Sequence, residues 1–299
     1  MGMPKPLAEL LLRESAARPF HGEVATLGRL HVYFTADELE NCAARAGAKL
    51  AEFPRTLHRE PDLARRGFLA DDSFLTALGF QSSTRVDYSD YEAAEEILDL
   101  NSAETPRHLQ QRFDVIIDSG TIEHVFHLPN ALAHLARMLK PGGRIIHISP
   151  SSNCMDHGFY GFSPTFFTDY YEENHYELPA VQVCRFLKPH EQARCDIYDY
   201  TADRGSRLQI GCLDSSVYFV FVVARMTPES TSGVIPQQSA YRRRWSDGVA
   251  ANTVSRRQQV LEWTRRSPFG QKTFDLYRRY LRPMVMRLRR PPLQKIARL

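Results

Sequence analysis

Residues 113–150 read FDVIIDSGTIEHVFHLPNALAHLARMLKPGGRIIHISP, and this stretch constrains the fold more than any other part of the chain. It opens on an apolar run rich in β-branched residues, FDVII, broken only by Asp114, too short for a helix and therefore a buried strand. Asp118, Ser119, Gly120 and Thr121 break the run with turn residues. Pro129 sits where the first turn of a helix tolerates proline, and Leu132, Leu135, Ala136 and Leu139 follow at helical spacing. Lys140, Pro141, Gly142 and Gly143 end that helix, and residues 144–148 form a second strand. Strand, helix and strand in this order make a βαβ unit, whose crossover requires a parallel sheet. Ligands of such sheets lie beyond the carboxyl ends of the strands, which places residues 118–124 at a site.

FDVIIDSGTIEHV, with a helix ending RMLKPGGRIIHISP, resembles the second half of a class I S-adenosylmethionine-dependent methyltransferase. In that family "EH" follows the fourth strand and "LKPGG" precedes the fifth. The resemblance extends as a fold over roughly residues 20–225. It implies an α/β architecture, a doubly wound, mostly parallel seven-stranded sheet of Rossmann-like type. It also implies S-adenosylmethionine as cofactor, with in-line transfer of its sulfonium methyl to an acceptor.

The rest of the chain is read around that unit. The expected domains are an N-terminal helix over 1–20, a methyltransferase-like domain over 21–226, a linker over 227–240 and a basic helical extension over 241–299. Leu7, Leu10, Leu11 and Ala17 mark one face of the first helix. Residues 23–34 read as the first strand, and Thr35 with Glu38 as a capping box. The family places a GxGxG loop after that strand, because glycine lets backbone amides approach the methionine moiety closely. This chain departs from it, with Thr26-Leu27-Gly28-Arg29-Leu30 and Gly28 alone in place. Residues 52–70 read as loop with little helix, and residues 71–78 as a short helix closed by Gly79.

Residues 85–89 match the family's second strand, which ends in an acid; a carboxylate there accepts both hydrogen bonds of a ribose diol, a role the resemblance gives to Asp87. Ser89 and Glu92 read as a second capping box, with a third strand near 97–100. Asp99 falls where the family places an acid or amide facing the adenine amine. The cofactor set implied is Gly28, Asp87, Asp99, Asp118, Ser119, Gly120 and Thr121.

Residues 151–177 interleave polar groups with aromatics directly after the fifth strand, which suits the wall of a small-substrate pocket. Asn153, Tyr160 and Phe162 are the expected acceptor contacts. Ser163 before Pro164 reads as an N-cap launching a helix. Two later strands, 181–187 and 217–225, suit the antiparallel edge of the family's sheet. His124 can act as a base on a hydroxyl as it is methylated, since imidazole titrates near neutral pH, or can hold Glu123; Glu123 and His157 complete the candidate catalytic set. His124 and His127 with Cys154 and His157 have metal-like spacing but no closed ligand set, so no metal is expected.

The chain's 299 residues carry a net charge of +3 that hides an asymmetry. Residues 241–299 hold 16 Lys/Arg against 3 Asp/Glu, leaving 22 against 32 in residues 1–240. Such a tail suits an anionic membrane surface, an acidic partner or the acidic body itself, and no module for sequence-specific nucleic-acid binding accompanies it. Five scattered cysteines without CxxC, no long apolar run and no secretory pattern at the N-terminus suit a cytoplasmic protein, with the membrane periphery open to it through the tail. Function reads as methyl transfer to a small polar acceptor such as a sugar or other hydroxylated metabolite. The rivals are a methyltransferase-like scaffold without catalysis, acting through the tail, and a nicotinamide oxidoreductase, which would want GxGxxG and a parallel last strand.

Overall fold

The computed structural model describes residues 2–187, 194–201, 213–250 and 294–299, with a few positions between 271 and 280. The strands are β1 (Gly2–Met3), β2 (Glu23–Leu27), β3 (His31–Val32), β4 (Ser82–Asp87), β5 (Glu96–Ile97), β6 (Phe113–Ser119), β7 (Leu139–Pro150), β8 (Glu177–Phe186), β9 (Cys195–Asp199), β10 (Val217–Arg225) and β11 (Gln294–Arg298). The helices are α1 (Lys5–Ala17), α2 (Ala36–Ala46), α3 (Pro61–Arg65), α4 (Asp71–Ala77), α5 (Leu128–Met138), α6 (Pro164–Glu173) and α7 (Ser239–Ala250).

The main sheet runs in the order β11-β9-β8-β10-β7-β6-β2-β4-β5. β5, β4, β2, β6 and β7 are parallel, whereas β10 is antiparallel to both β7 and β8. Seven of its strands have the expected arrangement; the other two extend one edge. β9 pairs with β8, and Cys195 and Leu299 exchange backbone hydrogen bonds at the outer edge. Chain order reverses between β2 and β6, which makes the gap beyond their carboxyl ends the switch point where ligands of such sheets bind.

Side chains alternate across the sheet with period two, and each face supplies its own core. Val115, Ile117, Ile146, Ile148, Phe219 and Phe221 pack on one face with the apolar sides of α1, α2 and α4. Ile116, Ile145, Val220 and Val222 pack on the other with α5 and α6. Thr35 accepts from the Glu38 amide at 3.2 Å and the Glu38 carboxylate accepts from the Thr35 amide at 2.9 Å, so the capping box forms as the sequence implies.

Several expectations are corrected. The first strand stops at Leu27, because Gly28 takes a left-handed conformation (φ 72°); His31 and Val32 pair instead with β1. Ser89 and Glu92 open no helix: Ala93 is left-handed and the backbone oxygens of Glu92 and Ala93 accept hydrogen bonds from Arg29. Ala17 is exposed. Residues 294–298, expected as part of a helical extension, form a strand; α7 is helical, and the expected pattern of Phe274, Tyr277, Leu281, Val285 and Leu288 lies outside the described residues.

The chain divides into two compact units. The first holds the sheet together with residues 216–235 and 295–299. Within it, residues 227–234 are tied down rather than loose: Thr227 Oγ1 donates to the His175 carbonyl at 2.8 Å, and the Asn174 side chain accepts from the Val234 amide and donates to its carbonyl. The second unit contains α7.

Candidate functional site

At the switch point the backbone brings Gly28, Asp87 and Thr121 together. The Gly28 amide donates to the Val86 carbonyl at 2.8 Å, and the Thr121 hydroxyl donates to the Leu27 carbonyl at 2.7 Å. A Cβ on Gly28 would lie 3.4 Å from Asp87 Oδ2 and 3.9 Å from Thr121 Oγ1, so the absent side chain leaves a cradle between a carboxylate and a hydroxyl. Where further glycines are expected, Arg29 is buried: its guanidinium meets both oxygens of Asp71 at 2.9 and 3.1 Å. The loop is thus held by a side-chain anchor, and Arg85 shares the same carboxylate. Asp99 is exposed just beyond β5, where its carboxylate accepts from the amide and side chain of Asn101.

Asp118 behaves differently from the cofactor contact expected of it. Its side chain is fully buried; one oxygen accepts from the Thr121 and Ile122 amides, and the other lies 2.7 Å from His147 Nδ1. Those bonds fix the turn, and a buried carboxylate requires them. His147 Nε2 in turn lies 2.6 Å from the Tyr171 hydroxyl, whose ionisation is pushed well up by burial. The Ser119 hydroxyl is also buried and makes no hydrogen bond among the described residues. Gly120, left-handed at φ 83°, lets the turn reverse after the strand. His147 was legible only as an odd polar residue in an apolar strand.

Beyond the turn, Ile122–His124 forms a short 3-10 helix that buries Glu123 completely. Neither Glu123 oxygen has a hydrogen-bond partner among the described residues. Oε1 lies 3.5 Å from His157 Nε2 and 3.9 Å from His124 Nε2. Burial, reinforced by the Asp118 carboxylate, pushes the Glu123 carboxyl up to about 8. Burial and the neighbouring His157 hold His124 below the usual imidazole range. The residue 152–162 loop is latched on this segment: the Glu123 carbonyl accepts from the Phe159 and Tyr160 amides at 2.8 and 3.2 Å. Gly158 permits that approach, since a Cβ there would sit 2.9 Å from the same carbonyl.

The expected acceptor contacts divide. Phe162 is 3% exposed and packs on Phe166 and Phe167, so it is core rather than pocket wall. The Tyr160 hydroxyl donates to the Phe126 carbonyl at 2.8 Å and ties two loops. Asn153 donates to the Ser216 carbonyl at 2.6 Å and, with Tyr33, His157 and Phe219, lines a cavity of about 480 Å³. Phe126 and Phe159 meet edge to face and are both largely exposed, an apolar rim near Glu123. His127 does not join His124; it caps α5 by accepting from the Asn130 amide.

Residues 70–195 match the family model for a methyltransferase domain, and the strand order matches that expected for such a domain. Over those residues the chain is similar to a methyltransferase domain, the kind of fold the sequence resemblance implies. No curated protein matches its sequence. Among solved structures, the chain is similar to the 1,6-didemethyltoxoflavin-N1-methyltransferase of Burkholderia thailandensis, with 14% identity over 75% of this chain and 78% of that one at a TM-score of 0.36. It is also similar to the YcgJ protein of Bacillus subtilis, with 10% identity over 74% of this chain and 98% of that one at a TM-score of 0.39. Likeness at that level says nothing about the acceptor. The glycine cradle beside Asp87 fits S-adenosylmethionine: a carboxylate suits its ribose diol, and backbone unobstructed by a side chain suits close approach.

Proposed function

We propose that the enzyme methylates a small hydroxylated acceptor, held between the residue 121–127 turn and the residue 152–160 loop. Convergence of Gly28, Asp87 and Thr121 at the switch point carries the cofactor half of this reading. Asp87 would hold the ribose, Asp99 the adenine side, and the backbone at Gly28, Gly120 and Thr121 the methionine end. When bound, the cofactor supplies an electrophilic methyl on a sulfonium. The residues of this chain do the rest: they orient the acceptor, exclude water and receive the proton of the methylated hydroxyl. The acceptor oxygen would meet Glu123, His124 and His157, where a buried carboxylate lies within 4 Å of two imidazoles.

Incubation with methyl-labelled S-adenosylmethionine and a panel of polyols, sugars, peptides and oligonucleotides tests the acceptor class. Label in a polyol or sugar product is expected, reduced in His124→Ala. Label confined to peptide or nucleic acid would overturn the acceptor half of the reading.

A further inference from the structure

We propose that Glu123, His124 and His157 form a binding site for a divalent first-row transition cation. Each offers one ligand atom, and the three atoms all lie within 4.8 Å of one another. Around an ion with bonds of about 2.0–2.2 Å, adjacent ligand atoms stand roughly 3.0–3.6 Å apart. The observed 3.5 Å from Glu123 to His157 is already in that range, and the 3.9 Å to His124 needs an adjustment of a few tenths of an ångström.

A second, independent observation points to a ligand. The Glu123 side chain is 0% exposed, and neither of its oxygens is hydrogen-bonded among the described residues, although it faces both imidazoles. Burying a carboxylate without partners is costly, and buried charges are ordinarily paired or bound to metal. A cation between the three side chains supplies the missing partner.

The backbone also holds the ligands in place. His157 comes from a different loop than Glu123 and His124, 33 residues further along the chain. Phe159 and Tyr160 donate to the Glu123 carbonyl, and Gly158 allows the contact, so the two loops are fixed to each other at the ligands themselves. Two imidazoles and one carboxylate favour zinc, manganese, iron or cobalt over magnesium or calcium, which prefer oxygen-only shells. Three protein ligands leave at least one position open, as in catalytic rather than structural sites. That position would take an acceptor oxygen; this role rests on the methyl-transfer reading, whereas the cation site does not.

A competing cluster, His31, His58 and Glu60, lacks these features. There both His31 nitrogens already face carboxylates, Glu60 at 3.3 Å and Glu92 at 3.2 Å, and His58 Nδ1 accepts from the Glu60 amide.

Full-length protein stripped with chelator and dialysed against Zn²⁺, and separately Mn²⁺, tests the site by metal content per chain. Wild type is expected to hold one ion, and His124→Ala and His157→Ala each to weaken it by at least about tenfold. His58→Ala should leave it unchanged. Both ligand imidazoles are about half exposed, so these variants should fold; circular dichroism checks this, and Glu123→Gln is not required. Binding of S-adenosylhomocysteine, measured alongside, should survive in His157→Ala, which separates failure of the cation site from failure of the cofactor reading. No bound ion in wild type, wild-type affinity in both ligand variants, or loss only in His58→Ala would overturn the proposal.

Discussion

Asp118 and His147 are register partners on adjacent parallel strands, and their side chains meet at 2.7 Å with no exposure to solvent. The pair ties β6 to β7 and, through Tyr171, to α6. Because Asp118 also accepts from the Thr121 amide, the same carboxylate shapes the turn that carries Glu123. Architecture and site share one buried group.

Removing one partner of a buried pair leaves the other uncompensated, at a cost of about 3–5 kcal/mol. His147→Ala should lose that much stability in urea unfolding, with Tyr171→Phe losing about 1 kcal/mol. A change under about 0.5 kcal/mol in His147→Ala would show that the pair does not hold the strands.

Gly28 combines a left-handed backbone with a cradle that a Cβ would enter. Gly28→Ala should cost about 1 kcal/mol of stability and should weaken cofactor binding more than it weakens folding. A cofactor affinity equal to wild type in calorimetry would mean that no ligand approaches this backbone.

Asp196 anchors the edge strand β11: Arg298 and Lys295 meet its carboxylate at 2.7 and 2.6 Å. Their hydrogen bonds, Arg298 first, hold its carboxyl down to about 2, below its ordinary 3.8. A depressed carboxyl stabilises the fold above its unfolded value, and that contribution is lost as pH falls through the folded one. Wild type should therefore exceed Asp196→Asn in stability near neutral pH, and the two should converge as pH drops from about 4 to about 2. Parallel curves across that window would refute the anchoring.

The capping box at Thr35 offers a simpler check on local sequence logic. Thr35→Ala should lose about 1 kcal/mol, measured by thermal unfolding, with little effect on ligand binding.

The βαβ unit was legible because its signals are local: a β-branched run, then Pro129 in a first helical turn, then Pro141-Gly142-Gly143 marking the helix end. The boundary itself differs, since α5 stops at Met138 and β7 starts at Leu139, taking in both Leu139 and the Pro-Gly-Gly run. Thr35 and Glu38 were legible for the same reason, three residues apart. The edge strands were not. Residues 294–298 are basic and follow an arginine-punctuated segment, so their charge suggested a helical face; their partners, the Asp196 carboxylate and the Cys195 backbone, lie about a hundred residues earlier. The break at Gly28 was hidden because apolar residues continue on both sides, and Arg29 needed Asp71 to reveal its anchoring role. Glu123 and His124 stood out by resemblance to the family, yet their approach to His157 depends on a loop fold that spacing does not encode. Phe162 was drawn to the pocket by its aromatic neighbours and went to the core instead.

The most direct measurement is calorimetric titration of the full-length protein with S-adenosylhomocysteine, with Asp87→Ala beside it. Affinity in the micromolar range, about −8 kcal/mol, and its loss in the variant are expected if the cradle at Gly28 and Asp87 holds the cofactor. Folded wild-type protein that gives no heat with either S-adenosylhomocysteine or S-adenosylmethionine, or an Asp87→Ala variant that binds as tightly as wild type, would contradict it.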